Sequence, residues 1–168
     1  MPQIKIREWN EKPRTKLRFI KIGDIFCYQF SEEMFVFGQI LGKVNVGHVI
    51  QFFDIFQASP TITVEELSRA QFIGKPIIVD SYTLFDRSPV WSWQIIGHQV
   101  DFDPSPFKDL AFKWGDPNGL HFGKVWLDGR REPKIFSREE VEDLDWEACV
   151  GTIVYNRILE EELDKQMK

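Results

Sequence analysis

Three closely spaced runs of β-branched and aromatic residues constrain this chain more than anything else in it. Ile25-Phe26-Cys27-Tyr28-Gln29-Phe30 is followed, after the turn Ser31-Glu32-Glu33, by Met34-Phe35-Val36-Phe37-Gly38-Gln39-Ile40-Leu41 as its hairpin partner. A Gly-Lys-Val-Asn-Val-Gly connector then leads into residues 48–56, which are apolar at consecutive positions and so read as a strand covered on both faces. Three such strands in succession predict an antiparallel meander. Gly38 inside its strand predicts a bulge or sharp bend, the device by which a small sheet curls toward closure. The expected fold is therefore α+β: a mainly antiparallel, strongly curled, barrel-like sheet with a few short helices.

Local signals extend this outline. Thr63-Val64-Glu65-Glu66 has capping-box spacing and predicts a short helix over 63–70, and Ser137-Arg138-Glu139-Glu140 predicts a second helix to about residue 143. Ile77-Ile78-Val79-Asp80 reads as a short strand, and Val90 to Gly97 as another in which Trp91, Trp93 and Ile95 share one face. Asp116-Pro117-Asn118-Gly119 is a turn joining Leu110–Trp114 to Leu120–Leu127, with Asn-Gly tolerating positive φ. Residues 157–165 are strong helix formers with Leu159 and Leu163 four apart, which makes a C-terminal helix. Thr152 to Tyr155 is ambiguous between strand and helix, because its β-branched density opposes its direct continuation into that helix.

At 168 residues the chain suits one domain spanning 1–168, and 43% hydrophobic residues supply its core. No apolar stretch approaches the ~18 residues that cross a bilayer, and the basic opening lacks the apolar region of a secretory signal. Cys27 and Cys149 are far apart, which favours packing over a disulfide or thiolate metal site and fits a reducing cytoplasm. A net charge of −5 has the wrong sign for a phosphate-binding surface, so nucleic acid is not an expected partner. The charge is unevenly placed: residues 1–24 carry seven Lys or Arg against three acids, and 137–168 carry four against ten.

Motifs with catalytic chemistry are missing, including phosphate-binding Gly-rich loops, H-E-x-x-H, G-x-S-x-G and C-x-x-C. His48, His98 and His121 have no ligand spacing, and neither a metal nor a cofactor is expected. The nearest approach to an acid–base cluster is His98 with Asp101 and Asp103, which together with His121 would make a hydrolytic or small-molecule site in the 98–121 loop. Against it stands the ordinary use of acidic residues before Pro as turn and cap formers. Trp91, Trp93, Trp114 and Trp126 have two readings. They build one aromatic core, or some of them join Phe102 and Phe107 in an exposed patch bordered by Asp101, Asp103, Asp109 and Asp116. The second reading gives the candidate partner-binding set Trp91, Trp93, Asp101, Phe102, Asp103, Asp109 and Asp116. A small nucleic-acid-binding barrel ranks last, because it needs a basic groove that only residues 1–24 could supply.

Several of these segments together resemble the immunity protein 26 family of bacterial polymorphic toxin systems. The carriers are Lys21-Ile22-Gly23-Asp24-Ile25-Phe26, Phe37-Gly38-Gln39-Ile40-Leu41, Phe52-Phe53-Asp54, and Trp93-Gln94-Ile95-Ile96-Gly97 followed by Pro104 and Pro106, spanning about residues 16 to 130. The resemblance implies a cytoplasmic, non-enzymatic protein that binds and blocks the toxin domain encoded beside it. It transfers no catalytic or toxin-contacting residue. Many toxins of such systems are nucleases with basic clefts, so an acidic protein implies a basic cognate toxin as partner.

Overall fold

The computed structural model describes residues 2–9, 14–88, 90 and 92–168. The three runs form β2 (Asp24–Ser31), β3 (Met34–Val44) and β4 (Gly47–Gln57), and β5 (Phe72–Val79) continues the meander. The chain then crosses back, and β6 (Trp93–Gln99) lies against the free side of β2 with β1 (Ile4–Ile6) outside it. All pairings in this six-stranded sheet are antiparallel, and its spatial order is β1-β6-β2-β3-β4-β5. A separate hairpin, β7 (Ala111–Gly115) with β8 (Phe122–Trp126), completes the strands.

The sheet is open, which corrects the barrel-like expectation: β1 and β5 are its two edges and do not pair. The physical reason is that both faces are already covered. On one face Phe26, Tyr28, Ile50, Phe52 and Trp93 meet Phe85, Tyr155 and Leu159; on the other Ile25, Cys27, Phe37, Phe53 and Ile96 meet Ile62 and Leu67. A small barrel fills its interior with its own strands' side chains, and here Phe85, Tyr155 and Leu159 from outside the sheet occupy that place. Gly38 serves close approach, since a Cβ there would overlap the Phe26 ring and the Gln51 carbonyl, and the β3–β4 register shifts beside it. The edges are protected: Pro76 interrupts the outer side of β5, and Val150 N–H donates to the Ile78 carbonyl.

α1 (Val64–Arg69) carries the full capping box, Thr63 Oγ1 accepting from Glu66 N–H and Glu66 returning the bond to Thr63 N–H. The same bonds form between Ser137 and Glu140, yet they cap only a single 3₁₀ turn, Glu139–Val141, rather than a helix to residue 143. α2 runs over Thr152–Gln166, so the ambiguous 152–156 stretch is helical. Packing decides it: Tyr155 and Leu159, one turn apart, are buried against the Trp93 face of the sheet. The Asp116 turn closes through Gly119 N–H to the Asp116 carbonyl at 2.8 Å, while the positive φ of this hairpin falls on Gly115 (142°), not on Gly119.

Candidate functional site

The strand pleat creates two concave surfaces on opposite faces of the β1-β6-β2 end of the sheet. On β1, Ile4 points one way and Lys5 the other; on β2, Ile25 and Asp24 divide likewise. β6 would run out of phase with them, but one extra residue, Ile96, bulges between Gly97, opposite Ile25, and Ile95, opposite Phe26. The bulge turns His98 onto the side of Asp24 and Lys5, which are its cross-strand neighbours.

On the Ile4 and Ile25 side lies an aromatic groove of about 450 Å³. Phe53 and Phe72 stack at 4.9 Å, Phe107 meets the edge of Phe72 at 5.8 Å, and Phe102 stacks on Phe107 at 6.5 Å. Leu67 and Ser68 of α1 form another wall. Asp101 and Asp103 stand on the rim, both exposed. Their carboxylates also hold the loop: Asp101 accepts from Gln3 N–H at 2.8 Å, and Asp103 accepts from Ser105 Oγ at 2.6 Å and Ser105 N–H at 2.9 Å. The Ser105 bonds keep the Asp103 carboxyl below its ordinary range. This fixes the 3₁₀ turn Ser105–Phe107 and with it the position of Phe107.

The lead into β2 explains why the loop lies where it does. Gly23 has φ +88°, and a Cβ there would come within 2.9 Å of the Gln99 carbonyl and 3.0 Å of Phe102 Cβ. Asp24 then caps the turn, its Oδ2 accepting from Lys21 N–H at 2.7 Å, and its Oδ1 lies 2.9 Å from His98 Nδ1. Burial pushes the Asp24 carboxyl up, against the lowering pull of the Lys21 N–H and of His98. Sequence reasoning missed this pair, because its members are 74 residues apart and only the β2–β6 register joins them.

His98, Asp24 and Lys5 face the second surface, a cleft of about 590 Å³ that Lys5, Arg7, Arg14, Lys16 and Lys21 also line. In a chain of net charge −5 this is a local inversion of sign.

The candidate partner-binding residues separate accordingly. Asp101, Phe102 and Asp103 share the groove, together with Phe107. Asp109 is exposed in the same loop, and Asp116 is exposed at the tip of the β7–β8 hairpin, accepting from Asn118 N–H. Trp93 is not a surface residue: at 1% exposure it sits among Phe26, Tyr28, Phe52, Phe85 and Tyr155, ring centroids 4.5–5.9 Å away. Its strand is interior, flanked by β1 and β2, and its indole points into the α2-covered face. Trp91 lies outside the described residues. Nor do the tryptophans form one core, since Trp114 is 41% exposed with the Arg131 guanidinium 4.9 Å from its ring centroid.

The hydrolytic alternative is not assembled. His98 faces the cleft, Asp101 and Asp103 the groove, and His121 lies exposed in the β7–β8 connection. Among the described residues no group of three or more His, Cys, Asp or Glu is placed to hold a metal ion. The thiols are quiet: burial raises both, Cys27 sits in the core, and Cys149, exposed at residue level, donates to the Val46 carbonyl at 3.0 Å. His48, buried and 2.9 Å from Ser81 Oγ, is pushed down to about 4 by burial and by Lys43, which keeps it neutral.

Fold and surface together define an α+β protein on an open antiparallel sheet, with two opposed concave surfaces at its β1-β6-β2 end and no assembled catalytic cluster among the described residues. The family model described as Immunity protein 26 matches residues 21–121, more than half of the chain, and the chain belongs to that family. No curated protein and no solved structure matches it. No helix is long and apolar enough to cross a membrane, among the described residues.

Proposed function

We propose that this protein neutralises a bacterial toxin domain by binding it through the aromatic groove and its acidic rim. The observation that carries the reading is the Immunity protein 26 match over 21–121, a span that contains Phe53, Phe72 and the whole 101–107 loop. Half-buried aromatic side chains inside a charged rim are the composition of an interface centre: Phe102, Phe107 and Phe72 supply desolvated contact area, while Asp101, Asp103 and Asp109 steer a partner of opposite sign. The partner is accordingly a basic toxin domain met in the cytoplasm, and a nuclease with a cationic substrate cleft is the class this charge suits best. Asp116 on the hairpin tip extends the acidic surface. No catalytic step is assigned to the protein.

The test is growth rescue combined with co-purification. The toxin domain encoded beside this chain is expressed alone, with the wild-type protein, and with Phe107→Ala or Asp109→Lys. Rescue and a complex are expected for wild type. Phe107→Ala is expected to weaken the complex at least about tenfold, and Asp109→Lys, which breaks no hydrogen bond or ion pair among the described residues, to slow association and flatten its salt dependence. A tight complex indifferent to both substitutions would remove the groove from the interface, and a toxin neither bound nor blocked would remove the reading itself.

A further inference from the structure

The cleft on the opposite face asks for a ligand of the other sign. Lys5, Arg7, Lys16 and Lys21 line it, all exposed, and none has an ion-pair partner among the described residues. Arg14 also lines it, but its Nε is held by Asp86 at 2.7 Å. Among the described residues the one acidic member of the lining is Asp24, buried and committed to Lys21 N–H and His98. His98 spends Nδ1 on that carboxylate and leaves Nε2 without a protein partner among the described residues. Beside the cations Phe19 is 56% exposed on the single turn Leu17–Phe19, with the Arg18 guanidinium 4.9 Å from its ring centroid.

Four exposed cations without ion-pair partners among the described residues line one concavity of about 590 Å³, so an anion seated there meets all of them at once. An exposed aromatic ring at the edge adds what a carboxylate-bearing peptide does not need and a nucleobase does: a flat surface for stacking. We infer that this cleft binds a phosphate-bearing nucleotide, free or as part of a single strand, with Lys5, Arg7, Lys16 and Lys21 on phosphate oxygens and Phe19 against a base. Global charge argued against nucleic acid because it averages over a molecule whose acids lie elsewhere, ten of them in residues 137–168. This inference is independent of the toxin reading, since most of its cations precede residue 21, where the family match begins.

The experiment uses the full chain and a fluorescent single-stranded oligouridylate dodecamer, titrated at about 50 mM and again at about 200 mM salt. Saturable binding that weakens with salt is expected, and Lys5→Glu with Arg7→Glu should lower affinity at least about tenfold and reduce the logarithmic salt slope by about two. Lys16→Glu with Lys21→Glu, off the β1 strand, repeats the test should the first pair disturb β1. Lys165→Glu on α2 should change nothing. Competition by ATP identifies a free nucleotide as the source; binding of the strand without such competition identifies the phosphodiester chain. The inference is overturned if neither probe binds, if both cleft variants bind as wild type, or if a polyglutamate peptide competes as well as ATP and the strand do.

Discussion

The groove and the cleft lie on the two sides of the same three strands, yet one is aromatic with an acidic rim and the other is cationic. The difference comes from adjacent residues, Ile4 and Lys5 on β1 and Ile25 and Asp24 on β2, sent to opposite faces by the pleat. It also follows the family boundary. The groove is built almost wholly from residues inside the 21–121 match, whereas Lys5, Arg7 and Lys16 lie outside it. The groove thus lies mostly within the matched span, whereas the cleft is shared between that span, through Lys21, Asp24 and His98, and the N-terminal segment that pairs along its edge.

The most severe way to break the comparison is to remove the support common to both surfaces. Trp93→Ala empties a fully buried site between β2 and α2 and should cost about 3–5 kcal/mol, taking the groove and the cleft down together in one urea transition. Two separate transitions would show that the faces are supported independently.

Acid should act on both surfaces as well, through His48. Its folded-state value, about 4, is below the ordinary 6.5, so the unfolded chain takes up a proton that the folded chain refuses. Stability is therefore full above pH 6.5 and falls as pH drops from there toward 4, by about 3 kcal/mol at most. Asp24 works in the opposite sense, because a raised carboxyl value favours the folded state as pH falls toward 3.8. Denaturation midpoints measured across this range should slope downward with acid in wild type, and the slope should flatten in His48→Gln.

Phe107→Ala sharpens the contrast rather than breaking it. It should weaken the toxin complex at least about tenfold while leaving oligouridylate binding at the cleft unchanged, as binding titrations on one preparation would show. Loss of both would mean that the faces communicate through β6. Smallest is Thr63→Ala, which removes the cap of the helix carrying Leu67 and Ser68 into the groove. About 1 kcal/mol of stability should go, with the cleft again unaffected, as thermal melts and the same titrations would register.

Much of this architecture was legible because its signals are local. β-branched and aromatic runs with three- and six-residue connectors gave β2, β3 and β4, and the Thr63–Glu66 spacing gave the capped helix. The candidate site was legible only in part. The 101–107 stretch reads as aromatic and acidic in the sequence and is so in space, but Phe53 and Phe72, which complete the groove, look in the sequence like any other strand residues. The core reading held for Trp93 and the patch reading did not, and the period-2 pattern alone could not choose, since it shows that residues share a face and not whether that face meets helix α2 or solvent.

What the sequence determined by itself was the β2–β4 meander, the Thr63–Glu66 cap, the Asp116 turn and the uneven charge, all of which depend on neighbours within a few positions. What only the tertiary structure decided was how distant segments meet: β6 returning to β2, α2 filling one face of a sheet whose edges β1 and β5 stay apart, and Ile96 bulging so that His98 joins Asp24 and Lys5. The physical reason is the two-residue period of a strand. A single inserted residue moves a side chain to the other face, and no local propensity records which register the partner strand will choose.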